Sequence, residues 1–195
     1  MNNAYLYGAG GHAKVILDLL KSNDITVSEI FDDNPAIESF MGIHVSHSNV
    51  CSPLIISIGN NRIRKAIAEK INKDIFSSFQ YDKTAIISDK ASIEKGTVVM
   101  QGAIIQSSVK IGKHCIINTG VSIDHDCTIR DYVHIAPRST LCGNVTVGEG
   151  SFIGAGTIVV PNIKIGKWAV IGAGSVVTHD IPDNVVAYGS PCKIR

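Results

Sequence analysis

From Ile87 onward the apolar positions of this chain fall on a strict six-residue beat. Ile87, Ile93, Val99, Ile105, Ile111, Ile117, Ile123, Ile129, Ile135, Leu141, Val147, Ile153, Val159, Ile165, Ile171 and Val177 are all branched aliphatics, without a slip in register. Four residues after each, the side chain is usually small or β-branched, as at Ala91, Thr97, Ala103, Cys115, Cys127, Ser139, Ser151 and Ser175, and Gly often follows the aliphatic directly. A helix repeats its apolar face every three or four residues and a half-buried strand every two, so neither alone gives this pattern. A short strand and a tight turn, repeated with one aliphatic per unit aimed at a common axis, does give it. Three such units make a triangular coil of about eighteen residues, and the segment is predicted to stack roughly five of these coils as a parallel β-helix.

Before the repeat the pattern is that of an α/β unit. Ala4–Tyr7 reads as a strand running into Gly8-Ala9-Gly10-Gly11-His12-Ala13, followed by a helix with Val15, Ile16, Leu19 and Leu20 on one face. Thr26–Phe31 reads as a second strand, ending at Asp32-Asp33 and the Asn34-Pro35 breaker. Leu54–Ile58 is an apolar strand of the kind buried on both faces of a parallel sheet. Arg62 to Ile71 then reads as an amphipathic helix and Phe76–Phe79 as a short strand. Strand, glycine turn, helix and strand together make the βαβ grammar of a Rossmann-like nucleotide-binding half-domain. The expected organisation is residues 1–82 as that domain and 83–195 as the β-helix with a polar tail after Pro182.

Composition narrows the partners. The chain has 195 residues, a net charge of +1 and 18% charged residues, so nothing in it suggests nucleic acid or an acidic membrane surface as partner. The start lacks a secretory pattern, no apolar run approaches a membrane span, and the five cysteines include no CxxC pair. A reduced, cytoplasmic protein is expected.

Two stretches carry candidate chemistry. Backbone amides of Gly10, Gly11 and His12 at a helix N-terminus form an anion cradle. Asp32 and Asp33 follow about twenty residues on, where a carboxylate can hold ribose hydroxyls. A tight turn beside solvated acids is the plainer alternative, and the joint placement of strand, helix and acids favours nucleotide binding. The second stretch is Asn118 to His134. His125 follows the inward Ile123 by two residues, so its ring should point outward, with Asp124 and Asp126 on either side. A histidine made more basic by a carboxylate suits proton removal from an amine or hydroxyl, although spacing alone favours a surface histidine. His134 lies half a coil away, and the two meet only if β-helices pack side by side as a trimer. His114 and His179 read as surface residues.

The repeat resembles the left-handed β-helix of the hexapeptide-repeat acyltransferases, and Gly189-Ser190-Pro191-Cys192-Lys193 resembles the tail common in those enzymes. Gly8 to His12, Asp32-Asp33, Ile58-Gly59-Asn60-Asn61 and Ile123-Asp124-His125-Asp126-Cys127 with His134 narrow the resemblance. They point to bacterial sugar acetyltransferases, of the UDP-4-amino-sugar N-acetyltransferase and sialic-acid O-acetyltransferase type. The resemblance implies a homotrimer with active sites between neighbouring β-helices and acetyl-CoA as cosubstrate, without a metal. It implies His125 as general base with Asp126 as its acidic partner. Gly10, Gly11, His12, Asp32, Asp33 and Gly59 would be sugar-nucleotide contacts, and His134, Ala155 and Ala173 acetyl-CoA contacts. Asn118 would be a polar neighbour of the reacting centre, and a backbone amide near Gly143 an oxyanion donor. The implied reaction is N-acetylation of a nucleotide-linked (UDP-) 4-amino-6-deoxy sugar in bacterial glycan biosynthesis, with sialic-acid O-acetylation as the alternative. Outside the family, an NAD-binding oxidoreductase, a zinc carbonic anhydrase needing three converging imidazoles and a non-catalytic β-helix scaffold are the rival readings.

Overall fold

The structure, a computed structural model, describes residues 2–71 and 73–195. Its N-terminal part is a five-stranded sheet: β1 (Asn2–Tyr7), β2 (Ile25–Phe31), β3 (Ser39–Phe40), β4 (Ile43–Ser46) and β5 (Leu54–Ile56), in the order β3-β4-β2-β1-β5. The pairs β4-β2, β2-β1 and β1-β5 are parallel, and β3 pairs antiparallel with β4 at the edge. Helix α1 (Gly11–Ser22) buries Ala13, Ile16, Leu19 and Leu20, the apolar face expected from its spacing, with Val15 only partly covered. Helix α2 spans Asn61–Lys70, its first turn capped by the Asn60 side chain, which accepts from the amides of Arg62 and Ile63.

Two expected strands are corrected here. The strand expected over Leu54–Ile58 ends at Ile56, because Ser57 turns its hydroxyl back to the carbonyls of Tyr7 and Gly8. Phe76–Phe79 is not a strand. Only Phe76 bridges to Leu54, its ring buried beneath the sheet. The β3-β4 hairpin was not anticipated, since its two short strands carry little apolar periodicity.

From Gln80 the chain coils as a parallel β-helix with three faces. Pairing runs at an offset of eighteen residues, as in Ile105↔Ile123 and Ile123↔Leu141 on the first face, Ile111↔Ile129 on the second and Ile117↔Ile135 on the third. The faces carry six, five and eight strands, the last face ending in Lys193–Ile194, which turns back antiparallel on Val186–Tyr188. Aliphatics from Val99 to Val177 fill the axis almost without solvent contact.

The small slot has a bonding role as well as a size limit. Thr97 donates its hydroxyl to the carbonyl of Gly112, Ser139 to Gly154, Ser151 to Gly166 and Thr157 to Gly172, each fifteen residues on. Cys115 and Cys127 make the same kind of reach through sulfur, to Arg130 and Cys142. Each buried polar atom therefore ties its coil to the next, which is how a hydroxyl is tolerated in an apolar axis. The corners obey a second rule. Every sixth residue from Gly96 to Gly174 has positive φ, including non-glycine residues such as His114, Asp126, Tyr132 and Trp168.

The N-terminal part is bound to the third face. Val98, Met100 and Ile116 from that face join the core of α1 and the sheet. Asn61 donates to the carbonyls of Gly150 and Ser151, Ser22 donates to Asp82, and Lys65 pairs with Glu149. His114, expected on the surface, is buried in this seam. Its ring lies over Gly96, parallel to Tyr132 at 5.6 Å and edge-on to Phe76 at 4.5 Å. Burial and the nearby Arg64 push its pKa down to about 4. His179 is exposed.

Candidate active site

His125 occupies the corner between the first and second faces, its side chain 60% exposed. Asp126 follows in the left-handed conformation (φ 62°), which folds its carboxylate back onto the imidazole, with Oδ2 at 2.8 Å from Nδ1. A carboxylate can only accept, so Nδ1 carries the proton and Nε2 presents a lone pair outward. The Asp124 carboxylate accepts from the His125 amide. The Asp126 hydrogen bond, followed by the charge of Asp124, raises the pKa of His125 above the usual histidine value. One coil on, Gly143 lies under the ring: a Cβ there would come within 2.6 Å of Cε1.

A second group lies where the N-terminal part meets the third face. Gly10 and Gly11 open α1, with free space where their side chains would be. Gly59 lies beside His12, whose ring centre is 6.2 Å from that of His134. The Asn118 amide NH₂ donates to His134 Nε2 at 3.1 Å, because its Oδ1 is taken by the Thr119 amide. His134 is therefore held as the Nδ1-protonated, neutral tautomer, packed edge-on against Phe152. Burial first, then the charge of Arg64, pushes His134 down to about 3 and His12 to about 4. Next to Gly59 a cleft of about 340 Å³ opens between the start of α2 and the β-helix, walled by Arg62, Phe152, Trp168 and Val170, with Arg62 stacked over Trp168 at 4.5 Å.

The acidic pair is partly engaged in holding the turn. Asp32 accepts from the amides of Ala9 and Asn34, one on each oxygen, while Asp33 is exposed and accepts from the Tyr7 hydroxyl at 2.6 Å. Burial and that bond drive the Tyr7 pKa up to about 12. Ala155 and Ala173 are exposed at the third corner, between the third and first faces, beside Gly156 and Gly174. The chain thus gathers Gly10, Gly11, His12, Gly59, Asn118 and His134 in one place, His125, Asp126 and Gly143 at a second, and Ala155 and Ala173 at a third.

Comparison with known proteins adds to this geometry. The PglD N-terminal domain model matches residues 3–71 and the GMPPB C-terminal domain model residues 99–190. A variant of perosamine N-acetyltransferase from Caulobacter crescentus, solved in complex with CoA and GDP-perosamine, is 35% identical with a TM-score of 0.94, over 100% of this chain and 97% of that one. The chain belongs to the hexapeptide-repeat sugar acetyltransferase family. Another member, the acetyltransferase domain of PglB from Neisseria gonorrhoeae in complex with acetyl coenzyme A, is 33% identical with a TM-score of 0.91 over 100% of both chains. UDP-N-acetylbacillosamine N-acetyltransferase of Bacillus subtilis is 42% identical over 113 residues, which cover 51% of this chain and 52% of that enzyme. The chain spans about half the length of that curated relative, and a quarter or less of two others.

Among the described residues no cluster of three or more His, Cys, Asp or Glu side chains could hold a metal ion, and no helix is long and apolar enough to cross a membrane. Sequence reasoning passed over Arg64. It lies on the buried face of α2 with Asn61, Ile67 and Ala68, and an arginine on a helix's apolar stripe was the available signal.

Proposed function

We propose that this family member is an acetyl-CoA-dependent N-acetyltransferase acting on the amine of a nucleotide-linked 4-amino-6-deoxy sugar. The observation that carries this reading is the outward His125–Asp126 pair, which leaves Nε2 free to accept a proton. The mechanism is direct transfer. The neutral amine nitrogen attacks the thioester carbonyl carbon, the C–S bond breaks, and the proton lost by nitrogen passes through His125 Nε2 to the departing CoA sulfur. Gly10, Gly11, His12, Asp32, Asp33 and Gly59 hold the nucleotide part, Asp32 also bracing the turn through the amides of Ala9 and Asn34. His134, Ala155 and Ala173 contact acetyl-CoA, and the backbone near Gly143 faces the developing oxyanion.

This reading requires more than one copy. His125 stands at one corner of the triangle, Ala155 and Ala173 at another, and the His12–His134 group on the third face. A homotrimer sets the His125 corner of one subunit against the alanine–glycine corner of its neighbour, where small side chains permit close approach. The relatives differ in nucleotide, since one structure holds GDP-perosamine and one curated relative is named for a UDP sugar.

The test is CoA-thiol release from acetyl-CoA with a panel of UDP- and GDP-linked 4-amino-6-deoxy sugars and free sialic acids, alongside light scattering. Turnover with a nucleotide amino sugar and a trimer mass are expected. Turnover with sialic acid alone would transfer the assignment to O-acetylation, and a monomer mass at micromolar concentration would remove the shared-site model. Gly143→Ala probes the geometry separately. Its methyl group displaces the imidazole, and kcat is expected to fall about 10²-fold, the scale of loss for a group misplaced by about 1 Å.

A further inference from the structure

Arg64 is the only arginine among the described residues that is fully buried, at 1% exposure. All five of its N–H donors are used. Nε donates to the carbonyl of His114 at 2.8 Å, Nη1 to those of Ile58 (3.0 Å) and Gly59 (3.1 Å), and Nη2 to Asn61 Oδ1 (2.8 Å) and the carbonyl of Tyr132 (2.8 Å). Each acceptor is uncharged. No ion pair among the described residues involves Arg64, and its pKa is pushed down by burial to about 10, which leaves it charged at neutral pH.

A buried guanidinium is ordinarily matched with a carboxylate, because withdrawing a charge from water is costly unless another charge answers it. Hydrogen bonds satisfy the donors here but leave the net positive charge. Two further features lie beside it. His12 Nε2 and His134 Nδ1 are both shielded from solvent and without a hydrogen-bond partner. The positive field of Arg64 acts on both rings and helps keep them neutral. The cation therefore sits behind the turn formed by Gly59 and His12, and none of the groups it donates to carries a negative charge.

We propose that Arg64 is a positioning residue that selects an anionic ligand: it clamps the Gly59 turn to the β-helix corners at His114 and Tyr132, and its uncompensated charge attracts the diphosphate of a nucleotide lying across His12 and Gly59. The inference rests on the nucleotide-sugar reading and deepens it. Arg64 does not touch the reacting atoms. Its contribution is to make the site favour a nucleoside diphosphate over the uncharged nucleoside, at low-dielectric range where a fixed charge is weakly screened.

The test compares calorimetric affinities of UDP against uridine, and GDP against guanosine, for the full-length chain in its assembled state. Wild type, Arg64→Lys and Arg64→Gln are measured, with melting temperature confirming that each is folded. Wild type is expected to prefer the diphosphate by about a hundredfold or more, the scale set by charge-assisted contacts to a phosphate. Arg64→Gln is expected to lose at least a factor of about ten of that preference, read as the ratio of diphosphate to nucleoside affinity, in which a loosened Gly59 turn that weakens both ligands cancels. Arg64→Lys, which keeps the charge and loses the five-donor fork, is expected to melt lower yet retain most of the preference. A folded Arg64→Gln protein with the wild-type ratio overturns the proposal, as does an Arg64→Lys protein that loses the ratio. If Arg64→Gln does not fold, Arg64→Lys decides alone. Equal wild-type affinity for diphosphate and nucleoside also overturns it, whereas the acetyl-transfer reading stands or falls separately on thiol release.

Discussion

Replacing His125 by alanine is expected to lower kcat by about two to four orders of magnitude, the usual worth of a positioned general base. Acetyl-CoA affinity and melting temperature should barely change, because the side chain is exposed and outside the aliphatic axis. Asp126→Asn should cost less, since the imidazole survives with its tautomer no longer fixed. The pair should be non-additive, with the double variant resembling His125→Ala alone. The pH dependence follows from the sign of the pKa shift. A base works in its unprotonated form, so kcat/KM should rise with pH through a midpoint above the ordinary histidine value, because Asp126 and Asp124 stabilise the imidazolium. Asp126→Asn should move that midpoint down. A His125→Ala protein with near-normal turnover would withdraw the base assignment and leave His134 as the next candidate, although His134 is held neutral and hydrogen-bonded at Nε2.

The largest stability effect is expected at Gly154. A Cβ there would stand 2.5 Å from the Ala173 amide nitrogen and 2.6 Å from the Ile171 carbonyl oxygen. Both belong to the next coil's backbone, and Gly154 itself donates to the Ile171 carbonyl. Neither can swing aside, so Gly154→Ala must separate two stacked coils, with a loss of about 3 kcal/mol or more. For a chain of this length that corresponds to a melting temperature roughly 10 °C lower. Gly156→Ala is the control. Gly156, unlike Gly154, has positive φ (67°), and a Cβ there meets nothing within 4 Å. Its cost is the backbone term alone, about 1–2 kcal/mol. Differential scanning calorimetry showing equal losses at both positions would refute the steric account.

The six-residue beat made the β-helix legible because each unit repeats the same physical demand, an aliphatic aimed at the axis. The α/β unit was legible from Ala4–Tyr7, the glycine turn and the apolar stripe of α1. What escaped reading depends on what packs against the corners. His114 has the same sequence context as an exposed corner residue, and only the docking of the N-terminal part covers it. Arg64 was passed over because its acceptors are carbonyls of His114 and Tyr132, and main-chain groups distant in sequence leave no trace in composition. Asp32 shows a related limit. Its spacing from the glycine turn suits a ribose contact, yet the carboxylate also braces the turn through Ala9 and Asn34. The grouping of His12, Gly59, Asn118 and His134 likewise depends on how the two parts dock.

The eighteen-residue offset gives this chain a reading frame of its own. Within the β-helix, direction is set by position modulo eighteen, as the pairing of Ile105 with Ile123 and of Ile123 with Leu141 shows. Six residues inserted between His125 and Tyr132 would preserve every aliphatic inside the axis, yet rotate Tyr132 and all that follows onto a neighbouring face. The N-terminal part would then meet a different set of side chains, and Asn61 and Arg64 would lose their carbonyl acceptors at Gly150, Ser151 and Tyr132. Eighteen inserted residues would restore every direction and lift the later coils by one strand spacing, about 4.8 Å. Length change that keeps every side-chain direction is thus quantised in whole coils, and one that also keeps the docked contacts is confined to loops thrown outward at a corner. A frameshift of structure, independent of stability, is the failure to look for when repeats are added to or removed from this protein.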